Sequence, residues 1–456
     1  MKIKIKILAI LAVLLLLGGC SAVGGEDGIL LRPPRPASGD LDDIQRLLTQ
    51  EAGSEITYKY PKKGDYRYAV IPYDLDSDGN KENVVFYQLK SKADGIRVAI
   101  FKKEGGKWHK AAETAGLFDD VDRIIFYDFD GNGVSEILIG WAGYLDNANI
   151  LTAYRFVDGH LAEIPILPSD GETSYSTSLT YAELALCDID KDKKGKELIS
   201  VELNTVLGKA KARQWEMTDS GTGSYFKSID SVNINGDFKS FKSSEMADYD
   251  NAKQALFLTA QKNDGMLCTK MIGHDSINGG LVSLLEGDYS SRFSARDIEG
   301  DGTIKIPYES LLPCYKSNDN SENPLYLTTW SRYDHAAQNS LSPIFMAVHN
   351  RIDGYYLKLN KEWVYIITAK YDPASKIMSF YKVNPTSGSS AQFGDELFRL
   401  RSCKPSQLKD VESQGYHKLA ENNQRVYCAS IGSEESSALN INYETLQENF
   451  KLMVNS

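Results

Sequence analysis

Apolar and polar residues alternate along most of this chain in short runs, broken by turns rich in glycine and aspartate. Alternation with a period of two over a few residues predicts half-buried strands. Three such runs, Tyr68-Ala69-Val70-Ile71, Arg123-Ile124-Ile125-Phe126 and Ala182-Glu183-Leu184-Ala185-Leu186, each lead into an acidic loop. A second strand follows each loop, then a gap and a third strand. In the third strand a small or β-branched residue stands three before an aromatic: Val98 and Phe101, Ala153 and Phe156, Ala212 and Trp215. Glycine turns at Gly105-Gly106, Asp158-Gly159 and Ser220-Gly221 then predict hairpins into a short fourth strand. A four-strand unit recurring every 50 to 65 residues or so, at about that period, predicts the blades of a β-propeller. One such sheet cannot bury both faces alone, whereas stacked sheets cover each other and leave only short edges. The expected fold is therefore mainly β, a five- to six-bladed β-propeller over 54–350.

The loops carry the chemistry. Asp74-Leu75-Asp76-Ser77-Asp78-Gly79-Asn80-Lys81-Glu82 and Asp128-Phe129-Asp130-Gly131-Asn132-Gly133-Val134-Ser135-Glu136 both read D-x-D-x-[DN]-G-x-x-E. Side-chain oxygens at positions one, three, five and nine can surround a hard cation, and glycine at position six allows the sharp turn. An EF-hand loop enters a helix, but these enter the apolar runs Val84-Val85-Phe86-Tyr87 and Ile137-Leu138-Ile139-Gly140-Trp141. Asp and Asn also build Asx-turns without metal, but four clustered oxygens with no basic residue at the ligand positions favour an ion.

Later copies decay. Asp188, Asp190, Asp192 and Glu197 keep the acids, with one extra residue before the glutamate. Asn233-Ile234-Asn235-Gly236-Asp237 keeps a turn and loses most of the charge. Asp297, Glu299 and Asp301 are followed by Gly302, yet Lys305 stands where the last acid belongs, and an ammonium there opposes a cation.

The amino terminus reads as a targeting segment over 1–20. Lys2, Lys4 and Lys6 precede an apolar stretch from Ile7 to Leu17, too short to span a bilayer comfortably. Leu17-Gly18-Gly19-Cys20 looks like the lipobox of bacterial lipoproteins, which implies cleavage and lipidation at Cys20. Two acyl chains would anchor the protein stably, where one is marginal. Residues 21–53 then read as a tether and short helix. Without the three leading lysines, 48 basic residues face 62 acidic ones, a balance of −14. That charge makes nucleic acid an unsuitable partner. Cys187, Cys268, Cys314, Cys403 and Cys428 show no CxxC spacing; Cys187 suits a buried thiol, and Cys403 with Cys428 is the pair to test for a bridge.

The lipobox, Leu31-Arg32-Pro33-Pro34 after it, the D-x-D-x-[DN]-G-x-x-E loops, and Asp297-Ile298-Glu299-Gly300-Asp301-Gly302 leading into Ile306-Pro307 together resemble FG-GAP/VCBS-repeat proteins. These include the integrin α-subunit propeller and, more closely, the VCBS-type repeat lipoproteins of Gram-positive bacteria. The resemblance implies a propeller with loop-bound Ca2+, held by lipid on the outer face of the cell membrane. It brings no enzymatic activity, since family members of this type are generally binding or structural modules.

The repeat ends near 350, and 351–456 reads as a small α+β domain. Strands are expected at Trp363-Val364-Tyr365-Ile366-Ile367, Met378-Ser379-Phe380-Tyr381 and Val426-Tyr427-Cys428-Ala429. Helices are expected from Pro405 to Glu412 and after Asn442, with Leu446, Phe450 and Leu452 on an apolar face. No HExxH, GxSxG, phosphate-cradling glycine loop or Cys/His zinc spacing occurs, and the six histidines are scattered. Two functions follow: a lipid-anchored recognition or scaffold module for a protein or carbohydrate ligand, without catalysis, or a cell-envelope hydrolase working in a propeller cleft. A hydrolase would need two free carboxyls across a cleft.

Overall fold

The computed structural model describes residues 38–52, 56–90, 95–118, 120–143, 148–167, 175–192, 195–219, 221, 223–250, 253–316, 324–335, 340–385, 391–432 and 434–453. Cys20, the 1–20 leader and the tether through residue 37 lie outside the described residues. The described chain is mainly β and includes six five-stranded sheets. By compactness it divides into two units, one of residues 1–126 with 156–161, the other of 127–155 with 162–456.

The first unit holds the plainest copy of the repeat. Val70–Tyr73, Glu82–Leu89, Arg97–Glu104 and Lys107–Ala115 form an antiparallel meander, and Ile56–Lys59 extends the edge beside Glu82–Leu89. The expected first strand began at Tyr68, whereas pairing starts at Val70. The Gly105-Gly106 turn has φ of 57° and 79°, the left-handed pair that a two-residue hairpin requires. Helix α1 (Ser38–Ala52) lays Ile44 and Leu48 on this sheet against Val85, Tyr87 and Phe101, all buried. Burying each such side chain stabilises the fold by about 1.5–3 kcal/mol.

In the second unit consecutive sheets share cores. Glu183–Cys187, Glu197–Asn204, Lys209–Asp219 and Ser224–Ile234 form one meander. Its Ile199, Val201 and Ala212 pack with Leu256, Leu258 and Ile272 of the next sheet, built on Phe238–Asp250, Lys253–Lys262 and Leu267–His274. Phe257 and Met271, also of that next sheet, meet Ile306 and Tyr333 of a fifth sheet. The fifth sheet runs Ile306–Leu311, Tyr326–Asp334, Ser340–Asn350, Tyr355–Leu359 and finally Phe450–Leu452. The sixth, around Ile377–Asn384 and Gln392–Cys403, packs Phe380, Phe398 and Leu400 on Tyr355 and Leu357 of the fifth. Each of these sheets thus buries apolar residues against a neighbour, as the alternating pattern requires.

The carboxy-terminal expectations need correction in three places. A boundary at 350 falls inside the fifth sheet, because Tyr355–Leu359 pairs with Ser340–Asn350 and Phe450–Leu452 pairs back onto Tyr355–Leu359. Trp363 to Ile366 is a run of turns, and the strand is Ile367–Asp372. Phe450 and Leu452, expected on the apolar face of the last helix, form instead the strand Phe450–Leu452, because the helix ends at Asn449. The other expected elements form. Pro405–Gln407 is a 3-10 turn leading into α2 (Leu408–Ser413), and Asn442 caps the helix Tyr443–Asn449, accepting from the Thr445 N–H at 2.9 Å. Cys403 and Cys428 are buried free thiols in one cluster, as are Cys187 and Cys268 elsewhere.

Candidate metal loops

Each of the first three loops ends on a glutamate that is also the first residue of the next strand: Glu82–Leu89, Glu136–Trp141 and Glu197–Asn204. Its strand position sets the carboxylate beneath the loop, fully buried for Glu82 and Glu136 and half-buried for Glu197. One oxygen then accepts the N–H of the apolar residue at position two: Leu75 at 2.9 Å, Phe129 at 2.9 Å and Ile189 at 2.8 Å. Leu75 and Ile189 are themselves buried and pin the loop to the core. The aspartate at position one accepts the N–H at position six, Gly79 to Asp74 at 3.1 Å and Gly133 to Asp128 at 2.8 Å. Those glycines have φ of 87° and 90°, which explains why glycine stands there.

Three groups of acids bring ligand atoms within 4.8 Å of one another: Asp74, Asp76 and Asp78; Asp128, Asp130 and Glu136; Asp188, Asp190 and Glu197. Burial, the dominant cause, raises the carboxyls of Glu82, Glu136 and Glu197 above the usual range; neighbouring aspartates add to the rise. Asp192 does not join the third group, where its N–H donates to Asp190 at 2.9 Å. Asn132 turns its amide to Asp130 at 3.0 Å and accepts the Val134 N–H at 2.7 Å.

The loops differ in what already neutralises them, a feature the sequence reading missed. In the first, Lys102 Nζ lies 2.5 Å from Asp76, 3.1 Å from Asp78 and 3.8 Å from Glu82. In the second, Arg155 donates to Asp130 and, at 2.6 Å, to Glu136. In the third, among the described residues, no Lys or Arg pairs with Asp188, Asp190 or Glu197. The signal lies in strand register. Glu136 stands opposite Arg155, and one step beyond the pair Asn83–Phe101 sets Lys102 opposite Glu82. The same step beyond Leu198–Trp215 sets an acid, Glu216, opposite Glu197.

Orphaned oxygens test whether a divalent ion fits. Asp74 Oδ1, Glu82 Oε1 and Asp188 Oδ1 are buried and accept no hydrogen bond. A buried acceptor left unpaired costs about 1–3 kcal/mol, so these atoms call for a cation. The third loop fits on this ground as it stands, the first once Lys102 withdraws its ammonium, and the donor set of carboxylates suits a hard ion. The second offers Asp128, Asp130 and Glu136 once Arg155 moves aside.

The fourth loop does not fit. Lys305, 3% exposed, places Nζ 2.7 Å from both oxygens of Asp301 and against Thr303, filling the centre with an ammonium. That pairing, together with hydrogen bonds from Thr303, holds Asp301 well below the usual carboxylate range. Glu299 turns outward to Lys358 at 2.7 Å, and Asp297 caps the N–H groups of Gly300, Asp301 and Gly302. Asp297, Glu299 and Asp301 are thus not gathered as ligands. The degraded copy at Asn235-Gly236 is a plain turn between strands Ser224–Ile234 and Phe238–Asp250.

No family model and no curated protein matches the chain. Among solved structures, the Dos1 propeller is similar at 11% identity and a TM-score of 0.32, covering 83% of this chain and 82% of that one. The Photorhabdus luminescens Tc holotoxin pore is similar at 11% identity and a TM-score of 0.20, with 86% of this chain and 20% of that one covered. At those scores neither bears on the fold, whose β character rests on the strands themselves.

Proposed function

We propose that the chain is a lipid-anchored, calcium-binding β-propeller that serves as a non-catalytic recognition or scaffold module outside the cell membrane. The supporting observation is the recurring cage: a buried glutamate at a strand start, aspartates folded over it, and carboxylate oxygens with no donor. Six sheets that bury apolar faces suit a blade architecture. Ca2+ would be held by Asp74, Asp76, Asp78 and Glu82 in the first loop and by Asp188, Asp190 and Glu197 in the third. Its charge would relieve the repulsion among buried acids and stiffen the corners between strands. Asp128, Asp130, Asn132 and Glu136 form the second site, in competition with Arg155.

The hydrolase reading is weaker. A glycosidase acid is a carboxyl with a raised pKa facing a substrate cleft. Here the glutamates with raised pKa, Glu82, Glu136 and Glu197, sit inside the loops with one oxygen tied to backbone. The recognition reading is tested by pull-down of cell-wall polymers and envelope proteins with the full chain in calcium and in EDTA. Calcium-dependent capture is expected, and release of a reducing end or peptide from the captured material would overturn it.

A further inference from the structure

We propose that the cavity beside His349 in the fifth sheet binds a carboxylate carried on a ring-sized body. This rests on the recognition reading and assigns it a ligand site, remote in sequence from the metal loops. The cavity has a volume of about 560 Å³ and is lined by Arg292, Phe293, Tyr326, His349, Arg351 and Tyr371, among others. That is room for a single small ring with substituents.

Two donors at the cavity lack acceptors, the His349 ring N–H and the Arg351 guanidinium. His349 is 9% exposed, stacked on Tyr356 at 4.9 Å and against Phe293 at 4.4 Å. The Trp330 indole N–H, which can only donate, points at His349 Nε2 at 3.1 Å. Nε2 is therefore the acceptor, and the proton of the neutral ring sits on Nδ1. That Nδ1–H is buried and has no partner. Burial and the fields of Arg296, Arg292 and Arg351 push the imidazole pKa down to about 3, so the ring stays neutral and keeps this tautomer.

The surrounding charge points the same way. Arg292 lies flat on Tyr326, 3.7 Å from the ring centre, and donates to Glu309 at 3.0 Å. Glu309 also accepts from the Arg292 N–H and from Thr328, so the carboxylate at the cavity wall has both oxygens engaged. Arg351 is at the rim and makes no ion pair among the described residues, resting 5.7 Å from the Phe293 ring centre. Arg296, behind the wall over the Trp330 ring, adds positive field at His349 without lining the cavity. A ligand must bring acceptors and negative charge to satisfy these groups, and an apolar or ring face to cover Phe293 and Tyr326. A carboxylate on a ring does both, whether the ring is an acidic sugar or an aromatic.

The test is titration calorimetry of the full chain with D-glucuronate, benzoate and neutral D-glucose, repeated on Arg351→Gln and Arg351→Lys. Arg351 is exposed, so both variants are expected to melt like the parent. Binding of glucuronate or benzoate, and not glucose, is expected, with the tighter of the two identifying the ring type. Arg351→Gln should weaken it on the order of tenfold and Arg351→Lys less. Glucose binding as tightly as glucuronate, no binding of either acid at about ten times a millimolar Kd, or an unchanged Arg351→Gln would overturn the assignment. Cell-wall capture that persists while both acids fail would remove this cavity and leave the recognition reading standing.

Discussion

Lys102→Met separates the two cations that compete for the first loop. The methionine keeps an apolar stem of similar length, so mainly the charge is lost. In the calcium-free chain the variant leaves Asp76 and the fully buried Glu82 without their counter-charge. Exposed pairs contribute up to about 1 kcal/mol, and breaking buried ones costs about 3–5 kcal/mol. Lys102 and Asp76 are 23% and 27% exposed, between those cases, so a loss of about 2 kcal/mol is expected. For a unit of this size that corresponds to a fall in Tm of about 6 °C.

Calcium should reverse the order. A parent chain must withdraw the ammonium before an ion can enter, whereas the variant has only carboxylates to offer. At a hundredfold excess over Kd, binding stabilises by about 2.7 kcal/mol, enough to erase the variant's deficit. The assay is thermal melting by circular dichroism for both chains, in EDTA and across a calcium series. The midpoint of the calcium response should move to at least tenfold lower concentration in the variant. A deficit that is the same with and without calcium, or a larger calcium response in the parent, would refute the argument.

Asp76→Ala and Asp130→Ala should each diminish the calcium-induced rise in Tm, by about 3–8 °C if one site is lost, read by the same melts. Lys305→Glu completes the D-x-E-x-D-G-x-x-E pattern of the fourth loop; it should melt lower than the parent in EDTA and recover in calcium, and equal melting in both would contradict the role given to Lys305. His349 binds its proton near pH 6.5 when unfolded and near pH 3 when folded, so acid favours the unfolded chain. Stability should therefore fall by about 1.4 kcal/mol per pH unit between about pH 6 and 3 from this residue, a slope that His349→Gln removes in urea titrations.

Local features were legible because local chemistry sets them. The Gly105-Gly106 and Asp158-Gly159 turns need positive φ at both positions and have it. The acidic loops enter strands because the glutamate opens a continuously buried apolar run, and Asn442 caps its helix with its own side chain. Trp363 to Ile367 misled because its alternation mimics a strand. Trp363 is instead a buried anchor whose indole N–H donates to the Leu439 carbonyl at 2.8 Å, 76 residues away, while Tyr365 turns at φ 63° and lies exposed.

The same limit hid the closing strand. Nothing near Phe450 announces that it pairs with Leu357. It also hid the counter-ions, since Lys102 and Arg155 are separated from their loops by a whole hairpin and reach them only through register. Ligand residue types alone ranked the first two loops above the third. Adding the strand opposite changes that order, because the third loop carries its half-buried acids without a protein cation among the described residues.

Titration of CaCl2 into the calcium-free chain by calorimetry tests the central claim most directly. Saturable heat is expected with a Kd of about 10⁻⁴ to 10⁻³ M, the range of extracellular modules, and it should shrink in Asp188→Asn and Asp190→Asn. No heat of binding, or heat that both substitutions leave intact, would contradict it.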